Sequence, residues 1–286
     1  MLRQKRILMS VIGILVVGLV FLAASAHSWR RSSKRSEQHF VGRKSSAKEK
    51  AAYLRRSTLK PRLAWGLRDF GNRFEKPGNE RLLIVGIIQT ASYPAAQPIT
   101  VIGDFPERAR LIFSNGGRKQ TIVFNHGEVK NAAPLTNVEQ SLLETFANDS
   151  VEHFFWSQMQ GQATSSLGNR YRLDDGSSPN YDGPYYDVYQ LMDESNLNSE
   201  GQPIPKFFYF NASTLLLERV IYQEAGENDL KRVEVIFGDW RKQNGQSVPF
   251  RIERIENGQS VFVFSVQSAS FGPRLSEDTF SSAIGN

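Results

Sequence analysis

The sequence predicts an α+β domain built on a long, curved antiparallel sheet, with a few helices covering one of its faces. Three observations carry that prediction. After Gly201 five strand-like segments follow one another: "KFFYF", "LLLERVIYQ", "KRVEVIFGDW", "SVPFRIERI" and "SVFVFSVQSA". The last two turns of this meander are Asn244-Gly245 and Asn257-Gly258, the dipeptide whose left-handed torsions suit a two-residue hairpin. Helical periodicity is confined to the front of the chain and to residues 136–160. About ten antiparallel strands make a sheet too wide to stay flat, so it curls and presents a concave apolar face.

Taken in order, the chain opens on the basic head "MLRQKR" and a charge-free apolar run over 7–26, long enough to cross a bilayer as a helix. Ala24-Ser25-Ala26 has the small-x-small pattern of a processing site. Residues 1–26 therefore read either as a removed export signal or as an uncleaved anchor. Arg3, Lys5 and Arg6 on one side balance Arg30, Arg31, Lys34 and Arg35 on the other, so the charge asymmetry that usually orients a span gives no direction. Residues 27–46 are rich in Ser, Arg and Lys without apolar periodicity and read as a basic flexible linker. With an apolar run beside it, this linker suits anionic lipid rather than nucleic acid.

The net charge of +6 hides an asymmetry. Residues 1–76 carry 18 Lys or Arg against 4 Asp or Glu, and the remainder 17 against 25, so a basic arm precedes an acidic body. The absence of cysteine excludes disulfides, thiolate nucleophiles, cysteine metal sites and lipidation on cysteine. With 286 residues and 40% hydrophobic content the chain can bury one sizeable core, assigned to residues 47–286.

Within that body, Leu54, Leu59, Leu63, Leu67, Phe70 and Phe74 recur at near-helical spacing, an amphipathic helix interrupted at Pro61. Strands follow at "RLLIVGIIQT" and "PITVIGD", then a hairpin, "RARLIFSNGGRKQTIVFNHG", turning at Asn115-Gly116-Gly117. Thr136 and Glu139 form a capping-box pattern ahead of "VEQSLLETFA", and a second helix, "VEHFFWSQM", starts near Ser150. "LGNRYRL" and "PYYDVYQLM" read as strands around the loop "DDGSSPNYDG". Alternation places Val233, Val235 and Phe237 on one face, and likewise Val248, Phe250 and Ile252, while Arg251 and Glu253 turn to water. In "SVFVFSV" Val261 and Val263 oppose Phe262 and Phe264, which predicts cover on both faces.

No residue pattern announces a reaction. His27 and His39 lie in the linker, His126 in a turn, and His153 in an aromatic-rich helix; no pair has metal-ligand spacing. The loop 174–182 lacks the alternating acids and final glutamate of a calcium-binding hand. There is no phosphate-binding glycine loop and no nucleophile elbow. Asn148-Asp149-Ser150 and Asn211-Ala212-Ser213 match the glycosylation pattern. The expectation is a binding protein, not an enzyme, with no catalytic residue, metal or cofactor.

The phrases "ERARLIF", "TIVFNHG", "FYFNASTLLLERV" and "VEVIFGDWRKQNGQSVPFRIER", with "LSEDTF" at the close, resemble the outer-membrane lipoprotein carrier superfamily, the LolA-like envelope proteins of Gram-negative and related bacteria, over roughly residues 47–281. The resemblance implies an incomplete antiparallel barrel with helices packed on or in its concave face, enclosing a cavity for acyl chains. Residues 136–160 would form the lid. Phe154, Phe155, Trp156 and Met159 would line the cavity from the lid, and Phe237, Phe250, Ile252 and Phe262 from the sheet. The expected function is non-covalent binding of a lipid or lipoprotein acyl chain, in trafficking or sensing. The expected place is the inner membrane, as a single-pass protein with a periplasmic body, or the periplasm if the signal is cut. A tethered protein suits local sensing or handing on better than free diffusion. The alternative is a structural or regulatory module of the envelope with a filled core and a protein partner.

Overall fold

The computed structural model describes residues 81–281, apart from short internal stretches of which 174–182 is the longest. The apolar run 7–26, the linker 27–46 and the amphipathic segment 47–74 lie outside the described residues. Among the described residues no helix is long and apolar enough to cross a membrane.

Five strands come first: β1 (Arg81–Thr90), β2 (Gln97–Asp104), β3 (Arg108–Asn115), β4 (Arg118–Asn125) and β5 (Glu128–Lys130). Helices α1 (Asn137–Asn148) and α2 (Val151–Met159) follow. Seven strands then complete the sheet: β6 (Ala163–Ser166), β7 (Tyr186–Met192), β8 (Lys206–Asn211), β9 (Leu217–Ala225), β10 (Leu230–Gln243), β11 (Gln246–Glu256) and β12 (Gln259–Phe271). A short 3-10 turn spans Glu277–Phe280.

All twelve strands form one antiparallel sheet in the order β5-β4-β3-β2-β1-β12-β11-β10-β9-β8-β7-β6. The chain builds outward from β1 to the β5 edge, crosses through α1 and α2 to the β6 edge, and meanders back until β12 pairs with β1. The sheet is therefore open. Because the helices link opposite edges, they have to cross a face, and the apolar concave one takes them.

Local chemistry accounts for the pieces. Asn244 and Gly245, and Asn257 and Gly258, adopt positive φ of 51°, 80°, 47° and 81°, the torsions that fold two strands back at a two-residue turn. Irregularities at Val85/Gly86, Tyr209/Phe210 and Arg254/Ile255 break the register of the sheet, and such bulges bend strands. At the first of them a Cβ on Gly86 would lie 2.4 Å from the Ser265 carbonyl oxygen, so the two strands approach too closely for any side chain. The capping box forms as expected: the Glu139 amide donates to Thr136 Oγ1 at 3.3 Å and the Thr136 amide to Glu139 Oε2 at 2.7 Å. Ser150 caps α2 by accepting from the His153 amide at 3.1 Å.

The alternation read from sequence is the alternation observed. Val233, Val235, Phe237, Val248, Phe250 and Ile252 are all buried, whereas Arg251 is exposed. Two expectations need correction. The segment "LGNRYRL" is not a strand where it is described; the pairing segment is Ala163–Ser166, before it, joined only to β7. As an edge strand with the sequence ATSS it has little apolar contact to make, so it leaves no alternation to read. Strand β5, three residues long, went unread for the same reason. The doubly apolar strand β12 is covered fully on one side only: Phe262 and Phe264 are buried, Val261 and Val263 half-buried.

Candidate functional site

The site is the space between the concave face and the two helices, and it is nearly full. Phe146 of α1 stacks on Phe105 at 5.7 Å and meets Phe264 of β12 edge-on at 5.7 Å. Phe154 of α2 lies 4.9 Å from Phe208 and 5.1 Å from Phe210, ring centroid to ring centroid. Each such side chain contributes roughly 1.5–3 kcal/mol by leaving water. A small, partly open cavity of about 30 Å³ remains beside them. Leu82, Ile84, Phe237 and Ile252 line it from the sheet and Thr145, Phe146 and Val151 from the helices.

One end of the same face carries charge instead. Asp149, between the helices, and Arg254 of β11 are fully buried, and Lys206 of β8 is 2% exposed. Lys206 Nζ donates to Asp149 Oδ1 at 2.7 Å and to the Asn148 carbonyl at 3.2 Å. The Tyr222 hydroxyl donates to Asp149 Oδ2 at 3.0 Å, and Arg254 Nη1 reaches the same oxygen at 3.2 Å. The guanidinium also donates to Glu144 at 3.0 Å, Glu224 at 3.3 Å and Glu256 at 2.8 Å. Lys231 bridges Glu224 and Glu256, each at 3.0 Å.

The electrostatics follow from burial set against neighbours. Burial opposes the charge of Arg254, but Tyr222, Asp149 and Glu144 and the bond to Glu256 raise its pKa above the ordinary value. Burial and the nearby Glu224 raise the Glu144 carboxyl, with Arg254 acting the other way. For Glu256 burial again works upward, yet the bonds from Arg254 and Lys231 prevail and lower it. Burial, then the charge of Asp149, pushes the Tyr222 hydroxyl well above its usual range. The network holds α1 and the junction between the two helices to the sheet, through Glu144 and Asp149.

Of the residues expected at the site, Phe237 and Ile252 line the cavity. Phe154, Phe155, Phe250 and Phe262 are buried in the core around it, and Trp156 is half-buried. The Met159 side chain lies outside the described residues. Sequence reasoning passed over the ionic network, although its signal was present. Lys206 shares the parity of Phe208 and Phe210, and Arg254 that of Phe250 and Ile252, so both had to point inward. Lys206 also pairs directly with Tyr222 across the strands.

Other candidates resolve into structure. In the first glycosylation pattern Asp149 is a buried ion-pair partner and Ser150 a helix cap. In the second, Asn211 donates to Glu218 at 2.8 Å and accepts from the amides of Ser213 and Thr214, closing a turn. His153 Nε2 lies 3.5 Å from Ser157 Oγ inside α2. Among the described residues no group of three or more His, Cys, Asp or Glu is placed to hold a metal. A separate open groove of about 520 Å³ runs between α1 and β4–β5, past Phe124, Val129, Leu135 and Leu143.

No family model matches the sequence, and no curated protein matches it. Solved structures do. A LolA superfamily protein from Nitrosomonas europaea superposes with a TM-score of 0.51 at 14% identity, covering 75% of this chain and 96% of its own. An outer membrane lipoprotein-sorting protein domain from Vibrio parahaemolyticus gives 0.46 at 10% identity over 76% and 97% of the two chains. A DUF1329 family protein from Desulfovibrio piger gives 0.40 at 12% identity over 76% and 96%. The first likeness establishes the fold: the curved open sheet with its helical cover is LolA-like.

Proposed function

We propose that this chain, LolA-like in fold, binds one acyl chain non-covalently between α1–α2 and the concave face, without catalysing a reaction. The supporting observation is the apolar cavity, which Phe237 and Ile252 share with the helix side chains Phe146 and Val151. A cavity of about 30 Å³ holds no more than a fragment of such a ligand, whereas small-molecule sites run to about 300–1,000 Å³. Entry therefore requires the helices to lift, an acyl chain taking the place of protein side chains on the aromatic floor. Each methylene buried contributes about 0.8 kcal/mol towards that opening.

The body would work in the envelope, held at the inner membrane on its periplasmic side if residues 7–26 stay attached, and would hand on or sense lipid or lipoprotein acyl groups. The test is to purify the full chain natively, extract it with organic solvent for mass spectrometry, and titrate it with a fluorescent fatty acid. Co-purified lipid and saturable uptake are expected. Neither appearing would sink the reading.

The small size of the cavity favours one second reading: a filled core whose surface docks an envelope protein. Crosslinking in membranes to a single dominant protein, with no extractable lipid, would select it.

A further inference from the structure

We infer that the Thr145 hydroxyl is the polar anchor of this site, donating a hydrogen bond to the carbonyl oxygen of an acyl ester or fatty acid. The inference rests on the binding reading above and adds to it the orientation and chemical class of the ligand's head. Thr145 sits in α1, is 1% exposed, and lines the cavity. Its Oγ1 has no hydrogen-bond partner among the described residues.

That is an expensive arrangement to keep in a helix facing an apolar wall. A buried hydroxyl without a partner forfeits its hydration, and valine would fill the same shape without that loss. Threonine in a helix commonly bonds the carbonyl one turn back; this one does not, so its proton is available to something in the cavity. The polar side chains around the cavity all belong to the helical segment, Thr145, Ser150 and Glu152, apart from Trp240 of β10, while Leu82, Ile84 and Phe237 make the opposite wall apolar. The ligand's head thus lies against the cover, and its tail runs along the sheet. A carbonyl oxygen accepts and cannot donate, which matches a hydroxyl donor; a plain hydrocarbon offers nothing to it.

The experiment uses delipidated full chain, wild type, Thr145→Val and Thr145→Ser, with a fluorescent fatty acid displaced by palmitic acid, methyl palmitate or 1-hexadecene. Wild type is expected to prefer both carbonyl ligands over the hydrocarbon, and T145V to lose about 2- to 10-fold of that preference, the worth of one hydrogen bond. T145S restores it. Ligand-free T145V melts about 2–4 °C higher than wild type, since the unpaired hydroxyl is gone. Preference for the acid alone assigns the anchor to a free carboxyl; equal preference for the methyl ester assigns it to the carbonyl. Unchanged selectivity in T145V, or a lower melting point, overturns the inference and leaves the binding reading intact, as it would if the hydroxyl held only a water. Failure of every probe to bind wild type overturns both.

Discussion

The concave face holds its two helices in two different ways. Around Phe146 and Phe154 the contact is aromatic, with ring centroids between 4.9 and 5.9 Å apart. Around Asp149 it is ionic, with Lys206 and Arg254 each holding one of the carboxylate oxygens. Aromatic packing is non-directional, so its strength falls gradually as the surfaces part or slide. A buried carboxylate between two buried cations has no such tolerance: a small displacement leaves charges that neither water nor protein satisfies. The aromatic end supplies most of the attraction. The ionic end fixes where the helices sit.

Substitutions sharpen that contrast. Asp149→Ala leaves the buried Lys206 without its carboxylate, while Arg254 keeps three others, and costs about 3–5 kcal/mol in chemical denaturation. Replacing the pair together, as Asp149→Leu and Lys206→Met, restores most of that stability, because the apolar pair needs no charge compensation and Arg254 keeps Glu144, Glu224 and Glu256. If the double variant is as unstable as the single one, the Asp149–Lys206 pair is providing net attraction and the contrast fails.

Phe154→Ala costs about 3–5 kcal/mol through lost transfer and the cavity left behind. At this end, unlike the ionic one, volume is what matters: Phe154→Leu recovers most of the loss. Ser150→Ala, which removes the cap of α2, costs about 1 kcal/mol by the same measurement.

The smallest effect is a pH dependence. The folded Glu256 carboxyl lies below its ordinary value of 4.5, which places it among groups that stabilise when ionised. Its contribution is present above pH 4.5 and lost as pH falls through the lower folded value. Glu256→Gln flattens that acid limb in a melting-temperature profile. A raised Glu144 works in the opposite sense: stability is lost as pH rises from 4.5 through its folded pKa, and Glu144→Gln removes that loss.

The same contrast explains how much could be read beforehand. Strands β10 to β12 and both helices were legible because turn dipeptides, a capping box and clean alternation repeat the same message at several levels. The edge strands β5 and β6 were not, since an edge buries little and carries no apolar signature. At the site, parity alone put Phe237, Phe250 and Ile252 inward. It put Lys206 and Arg254 inward as well, but a charge in a strand reads by habit as solvent-facing. Only the register, in which Lys206 meets Tyr222 and Arg254 lies opposite Val235, shows that these charges converge on one partner. Which helix residue supplies that partner depends on how a crossover lies on a sheet, and no local pattern encodes it.

The seam between β1 and β12 joins the two halves of the sheet, pairing Leu82 with Phe271 and Thr90 with Phe262. Neither half can close over the helices until the chain has been made through β12. High contact order of this kind slows folding, so β1–β5 wait with an unsatisfied border for the last-made strand of their own sheet. A ribosome delivering this chain amino end first releases an unfinished sheet that needs shielding from aggregation until β12 arrives.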